Sequence, residues 1–202
     1  MIFEMLITSK KGVSNSGGPD STCLLFLINR YIKDSTPSPS TSPAHVYSLT
    51  IDHDLQASSS AMAEKSALNA KNLNIPHTTA RVPWGSYPFP PSPFQSQSFE
   101  ATARTVRYHL LWKWMQREDV GVAAMGHHAD DQVETALMRL GRNSTLLGGR
   151  GMLVCRRWGM GAREKLEWVG FQGMNKWIIR PLLEVSKVCS TRARCNFLNG
   201  TE

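Results

Sequence analysis

Two short stretches hold most of the residues that could do chemistry. The first is Ser16-Gly17-Gly18-Pro19-Asp20-Ser21, followed by the apolar run Cys23-Leu24-Leu25-Phe26-Leu27-Ile28. Adjacent glycines let a backbone turn with positive φ and pass close to an anion. A glycine-rich turn opening a helix presents N–H groups at the positive end of the helix dipole, which suits phosphate. The Gly-Lys-Ser/Thr ending of a Walker loop is absent, and Asp20 stands where its lysine would be. An acid beside phosphate implies a bridging Mg²⁺. The plain alternative is an ordinary Gly-Pro turn before a core helix.

The second stretch is Gly126-His127-His128-Ala129-Asp130-Asp131-Gln132-Val133-Glu134-Thr135, with two histidines and three acids. Asp130 and Glu134 are one helical turn apart and share a face. Such a cluster could bind a metal, act as acid and base, or recognise a cationic substrate; the alternative is a capped, solvated helix start. The His-Glu-x-x-His spacing of a zinc hydrolase is missing. A third patch pairs Arg104 with Arg107 on one helix face, where two guanidinium groups can clamp phosphate or carboxylate. Taken alone, it also reads as a solvated basic face.

These residues need a scaffold, and the pattern supplies one. Ile2–Ile7 or Gly12–Ser14 could form the first strand, although Lys10, Lys11 and Asn15 interrupt the apolar run expected of a buried parallel strand. Helices are predicted over about 21–32, 58–72, 99–116 and 128–142, and strands over 46–51, 78–82, 120–125 and 177–183. Residues 34–43 read as a Ser/Thr/Pro surface insertion, and the proline-rich 83–98 as a loop. Alternating strands and helices imply an α/β fold with a doubly wound parallel sheet. Ligands of such sheets bind outside the carboxyl ends of the strands. The loop at 16–21, Asp52-His53 and Gly126-His127-His128 all follow predicted strands and should converge on one crevice.

The chain has 202 residues and 41% hydrophobic content, enough for one domain with a sizeable core. No run approaches the roughly 18 apolar residues of a membrane span, and the first residues lack the basic opening and cleavage site of a secretory signal. The expectation is therefore a cytoplasmic protein, mitochondrial being the option for a eukaryotic source, with no membrane partner. Cys23, Cys155, Cys189 and Cys195 form no Cys-x-x-Cys pair, which argues against a zinc ribbon or dithiol site. Cys23 reads as a core filler. Of the net +7, residues 1–138 carry 11 Lys/Arg against 12 Asp/Glu, whereas residues 139–202 carry 12 against 4. A basic end on a near-neutral body suits a polyanion such as RNA, or is a solvated cationic surface.

The 16–21 segment resembles the pyrophosphate loop of ATP pyrophosphatases. Taken in order, Ser16–Ser21, Ile51-Asp52-His53, Ala103-Arg104 with Arg107-Tyr108, Gly126–Thr135, Arg150-Gly151-Met152 and Ile179-Arg180-Pro181-Leu182-Leu183 resemble the catalytic domain of the tRNA(Ile)-lysidine synthetase family, over roughly residues 12–187. The sequence departs from that family at Asp54-Leu55-Gln56 and at Leu147-Gly148-Gly149-Arg150. The resemblance implies a Rossmann-like PP-loop ATPase fold, with a catalytic domain over 1–187 and a truncated tail over 188–202. It implies that ATP and Mg²⁺ adenylate the C2 oxygen of the wobble cytidine in tRNA(Ile) with anticodon CAU, and that free L-lysine then displaces AMP to give lysidine. By the same resemblance Ser16, Gly17, Gly18, Pro19, Asp20, Ser21, Asp52, His53, Gly126 and His127 bind ATP, and Asp20 holds Mg²⁺. Asp20, His128, Asp130 and Asp131 are the expected catalytic residues, and Arg104, Arg107, Glu134 and Arg180 the contacts to substrate or tRNA. No oligomeric state follows. Two other readings stand beside it: another ATP pyrophosphatase (a tRNA thiolation enzyme or an amide-forming synthetase), and an inactive fragment that binds RNA through its basic end.

Overall fold

The computed structural model describes residues 10–35, 46–91, 99–141, 151–158 and 169–187. Within them the chain runs β1 (Lys11–Ser14), α1 (Pro19–Ser35), β2 (Val46–Asp52), α2 (Ser59–Asn72), β3 (His77–Arg81), α3 (Phe99–Arg117), β4 (Val122–Met125), α4 (Ala129–Leu140), β5 (Cys155–Arg157), a 3-10 turn (Phe171–Asn175) and β6 (Trp177–Ile179). The sheet order is β3-β2-β1-β4-β6-β5. β3, β2, β1, β4 and β6 are mutually parallel, and β5 joins the β6 edge antiparallel, with Cys155 opposite Ile179. The chain winds outward from β1 through β2 to β3, then returns to place β4 on the other side of β1. The order therefore reverses between β1 and β4, where a doubly wound sheet opens its ligand crevice.

Period-two alternation sends neighbouring side chains to opposite faces. Val13, Val122 and Ala124 pack with Leu24, Leu25 and Ile28 of α1. Ala123 and Met125 pack with Leu111, Trp112, Trp114 and Met115 of α3. Each such large apolar side chain contributes about 1.5–3 kcal/mol on burial, so α1 and α3 are fixed on opposite faces of the central strands. Cys23 is buried in α1, as expected of a filler.

Several element limits differ from the pattern reading. The first strand is Lys11–Ser14 and contains the lysine that was expected to interrupt it; Lys11 is fully buried. The alternative at 2–7 lies outside the described residues. α1 begins at Pro19, whose fixed φ suits the first helical position, and extends through Asp34 and Ser35, so the surface insertion does not start at 34; residues 36–43 lie outside the described set. β4 begins at Val122 rather than Val120, and β6 ends at Ile179 rather than Leu183. In the latter case the chain turns at Arg180–Val185, where Leu183 N–H and Val185 N–H bond back to Arg180 O and Leu182 O. Ser58 precedes α2 without donating or accepting a side-chain cap bond. The three-residue β5 carries two arginines and no alternation, so only its pairing with β6 reveals it.

Candidate active site

The loop after β1 is built by its own polar groups. Asn15 is buried; its Oδ1 accepts the Gly17 N–H (3.1 Å) and the Ser21 hydroxyl (3.2 Å), while its backbone joins Leu49 and Thr50 of β2. Ser16 N–H donates to Ser21 Oγ (3.1 Å), and Thr22 Oγ1–H to Gly18 O (2.8 Å). Gly17 sits at φ +78°, and a Cβ there would stand 2.8 Å from Met62 O and 2.9 Å from Ser66 Oγ of α2. Only glycine satisfies both the left-handed backbone and the close wall. The loop is thereby held open ahead of the first turn of α1, which carries Asp20.

The adjacent β4 ends on that same turn. A Cβ on Gly126 would lie 3.0 Å from Ser21 N, so the glycine lets the two loops touch. His128 is the N-cap of α4: its Nδ1 accepts from Asp131 N–H (3.4 Å), and Asp131 Oδ2 accepts from His128 N–H (2.9 Å). This reciprocal pair is a capping box with imidazole in the hydroxyl's role. The other ring nitrogen, Nε2, faces two carboxylates. That nitrogen lies 3.7 Å from Asp20 Oδ2 and 3.6 Å from Asp131 Oδ2. Asp130 Oδ2 is 3.5 Å from His128 Nδ1 and accepts the Lys187 N–H (2.9 Å). Two loops more than a hundred residues apart in sequence thus meet on one imidazole.

Cations gather beside this carboxylate group. Arg180 follows β6 and is 3% exposed; its Nη1 donates to Leu153 O (2.8 Å), while its Nε is buried without a partner. Burial pushes this guanidinium below its usual range, with Tyr108 opposing. Arg104 and Arg156 each place a guanidinium over the Tyr108 ring, at 5.8 and 6.0 Å. Arg107 Nε donates to His53 Nε2 (3.3 Å) at the end of β2. Among the described residues no carboxylate pairs with Arg104, Arg107 or Arg180. His127 feels the whole group. Burial first, then the charge of Arg180, with smaller parts from Arg104 and Arg107, lowers it to about 4 against the pull of Asp131. His53 is likewise lowered to about 4 by burial and Arg107, with Asp52 opposing. His53 and His127 are therefore neutral at pH 7, and the arginines beside them carry positive charge.

Of the residues singled out in the sequence, Ser16–Ser21, Gly126, His127, His128, Asp130 and Asp131 lie together. Arg104 and Arg180 flank His127, and Asp52, with Asp54 N–H on its Oδ1 (2.8 Å), precedes the His53–Arg107 contact. Glu134 is exposed one turn further along α4. The structure gives Tyr108, quoted in the sequence only beside Arg107, the place where the arginines gather, and adds Asn15, Arg156 and Trp84, whose indole donates to His53 O (2.8 Å). Only Asn15 had a legible signal, as a polar residue between an apolar strand and a glycine turn. The described part of the basic end is largely turned onto backbone carbonyls: Arg139 to Gly151 O, Arg157 to Met174 O, and Lys176 to Val120 O. Arg150, Cys189 and Cys195 lie outside the described residues. Among those described, no three His, Cys, Asp or Glu side chains form a metal-holding group, and no helix is long and apolar enough to cross a membrane.

Residues 2–195 match the family model of the PP-loop domain. The chain is 38% identical over 171 residues to a tRNA(Ile)-lysidine synthase of Mesorhizobium japonicum, covering 83% of this chain and 32% of the relative. It is 35% identical over 190 residues to the enzyme of that name from Rhodopseudomonas palustris, covering 93% and 46%. The chain thus spans a third to under a half of the length of these relatives. In three dimensions it resembles the U34-tRNA thiolase NcsA from Methanococcus maripaludis, with a TM-score of 0.67 at 14% identity, over 95% of this chain and 57% of that one. A TM-score of 0.52 at 15% identity relates it to an NH3-dependent NAD synthetase from Campylobacter jejuni, over 95% and 65%. At such identities the likeness is one of fold.

Proposed function

The chain belongs to the PP-loop domain family, and from that premise we propose that it is the catalytic part of a ligase that joins free L-lysine to the wobble cytidine of tRNA(Ile) bearing a CAU anticodon. The relatives of that name support the substrate. The observation that carries the chemistry is the meeting of Asp20 and Asp131 on His128, with Arg180, Arg104 and Arg107 alongside. In the first step the cytidine C2 oxygen attacks the α-phosphorus of ATP, and pyrophosphate leaves. In the second the lysine ε-amine, freed of its ammonium proton, attacks C2, the C2–O bond breaks so that AMP leaves with the oxygen, and the new C–N nitrogen gives up one proton to water.

The loop at Ser16–Ser21 and the positive end of α1 receive the phosphates. The arginines, which have no carboxylate partner among the described residues, stabilise charge on the departing groups. Asp130, Asp131 and Glu134 offer carboxylates to the lysine ammonium, and His128 holds Asp131 in place. Asp52, His53 and Gly126 close the nucleotide crevice. Mg²⁺ also fits here: Asp20, on the first turn of α1 beside the loop, supplies a hard oxygen, and this ion completes its shell with phosphate and water. When bound, it neutralises charge on the phosphates. The unit extends over residues 1–187, and the work is cytoplasmic, where ATP, lysine and tRNA meet.

The test incubates the pure chain with Mg²⁺, ATP, lysine and the tRNA transcript. AMP release and a lysine-dependent mass gain of the tRNA are expected. AMP release with no such gain sinks the lysine assignment, and no AMP under any condition sinks the enzyme.

A further inference from the structure

Arg180 is the most deeply buried cation beside the carboxylate cluster, and its orientation depends on a segment without regular structure. Its Nη1 donates to Leu153 O and its backbone N–H to Val154 O, both 2.8 Å. Residues 151–154 belong to neither helix nor strand. Leu153 and Val154 are themselves exposed, so apolar packing does little to fix them. They are held instead from α4. The Gln132 side-chain amide grips both backbone groups of Met152: Oε1 accepts Met152 N–H (2.6 Å) and Nε2 donates to Met152 O (2.9 Å). Arg139 Nη1, two turns along the same helix, donates to Gly151 O (2.6 Å).

Gly151 makes this grip possible. It sits at φ +74°, and a Cβ there would stand 2.7 Å from Gln132 Oε1 and 2.8 Å from its Cδ. A side chain at that position would both strain the backbone and displace the amide. The glycine and the glutamine are therefore two halves of one device. A primary amide, with an NH2 donor group beside a carbonyl acceptor, is also the side chain that copies a strand's edge, satisfying an N–H and a C=O at once.

We propose that Gln132 is a positioning residue: by clamping Met152 it sets Leu153 O, and through it the direction of the Arg180 guanidinium. The proposal rests on the reading of Arg180 as a substrate-facing cation, and it couples the acidic helix start to the cationic side of the site. α4 presents Asp130 and Asp131 at its first turn, and Gln132 on the same turn fixes the arginine opposite. The two charges are then set relative to each other by one rigid helix rather than by a loop.

The experiment combines hydrogen exchange with a mutant cycle, on the full chain. Gln132→Ala should speed amide exchange at Met152 and Arg180 about tenfold, leaving Leu49 of β2 unchanged. It should lower turnover with ATP, lysine and tRNA by about tenfold, the usual scale for an outer support of a site residue. In an Arg180→Ala background it should add less than about twofold, because a support cannot be lost twice. Gln132→Glu keeps the acceptor and loses the donor, so it should fall between wild type and Gln132→Ala; it also serves if the alanine variant melts. Unchanged exchange at Arg180 in both variants, or a loss that multiplies fully onto Arg180→Ala, overturns the proposal. A wild-type chain making no lysine-dependent product would refute the reaction above, while exchange at Arg180 still decides the role of Gln132.

Discussion

The loops after β1 and β4 occupy neighbouring strand ends and do opposite things. The β1 loop is made of small residues whose hydroxyl and amide groups bond to one another, so that it offers backbone dipoles and a single acid, Asp20. The β4 loop offers ionisable side chains on a helix start. Their helices differ as well. α1 buries Leu24, Leu25 and Ile28 against the sheet, whereas α4 has no buried residue and leaves Val133, Leu137 and Leu140 in solvent. Peptide groups that receive phosphate, as proposed for this loop, must be rigid to be useful, which a helix packed into the core provides. A site made of long charged side chains is fixed by caps and clamps instead, as His128 and Gln132 do for α4.

The sharpest way to break this contrast is at Asp20. Asp20→Ala, which removes the carboxylate proposed to hold Mg²⁺ beside the phosphates, should lower ATP cleavage by about a thousandfold, the upper scale for losing one group that stabilises transition-state charge, measured as pyrophosphate release. Asp131→Ala should stop turnover too, yet keep ATP affinity by calorimetry within about threefold. Equal loss of ATP affinity in both would erase the division of labour. Next come the helices: Leu25→Ala should cost about 2–5 kcal/mol in urea unfolding, and its exposed counterpart Leu137→Ala less than about 0.5 kcal/mol. Comparable losses would mean that α4 carries the fold as α1 does. Gly17→Ala, which strains a left-handed residue against Met62 O, should destabilise by about 1–3 kcal/mol and raise the KM for ATP.

The last test is on pH. His53 and His127 titrate near 4 in the folded chain and near 6.5 unfolded. Their neutral forms are favoured by the fold, so stability is full above about 6.5, falls as the pH drops from there toward 4, and levels below 4. The double variant His53→Gln, His127→Gln should flatten that part of the urea-midpoint profile. An unchanged slope would show that neither ring is held neutral.

Much of the fold was legible because its signals are local. A glycine pair before an apolar run, alternation at 46–51 and acids after a buried strand each report on their own neighbourhood. The pattern reading missed wherever a distant element decided the outcome. Lys11 is a charged residue in a central strand, and nothing nearby in sequence predicts that it is buried. β5 exists because β6 lies beside it. Tyr108 gathers Arg104, Arg156 and Arg180 from three elements, and no spacing along the chain encodes that. The expected use of the basic end was only half legible, since charge is visible in a sequence but the carbonyls that Arg157 and Lys176 cap are not.

The amino-acid order by itself determined which groups stand at which strand ends, because side-chain type, helix start signals and strand period act over a few residues. Tertiary structure alone decided that Asp20 and Asp131 share one imidazole, that three arginines lack an acidic partner among the described residues, and that an amide on α4 holds the strap beneath Arg180. Those outcomes depend on how the sheet is wound. Returning across β1 to place β4 beside it brings together groups that no local interaction could join.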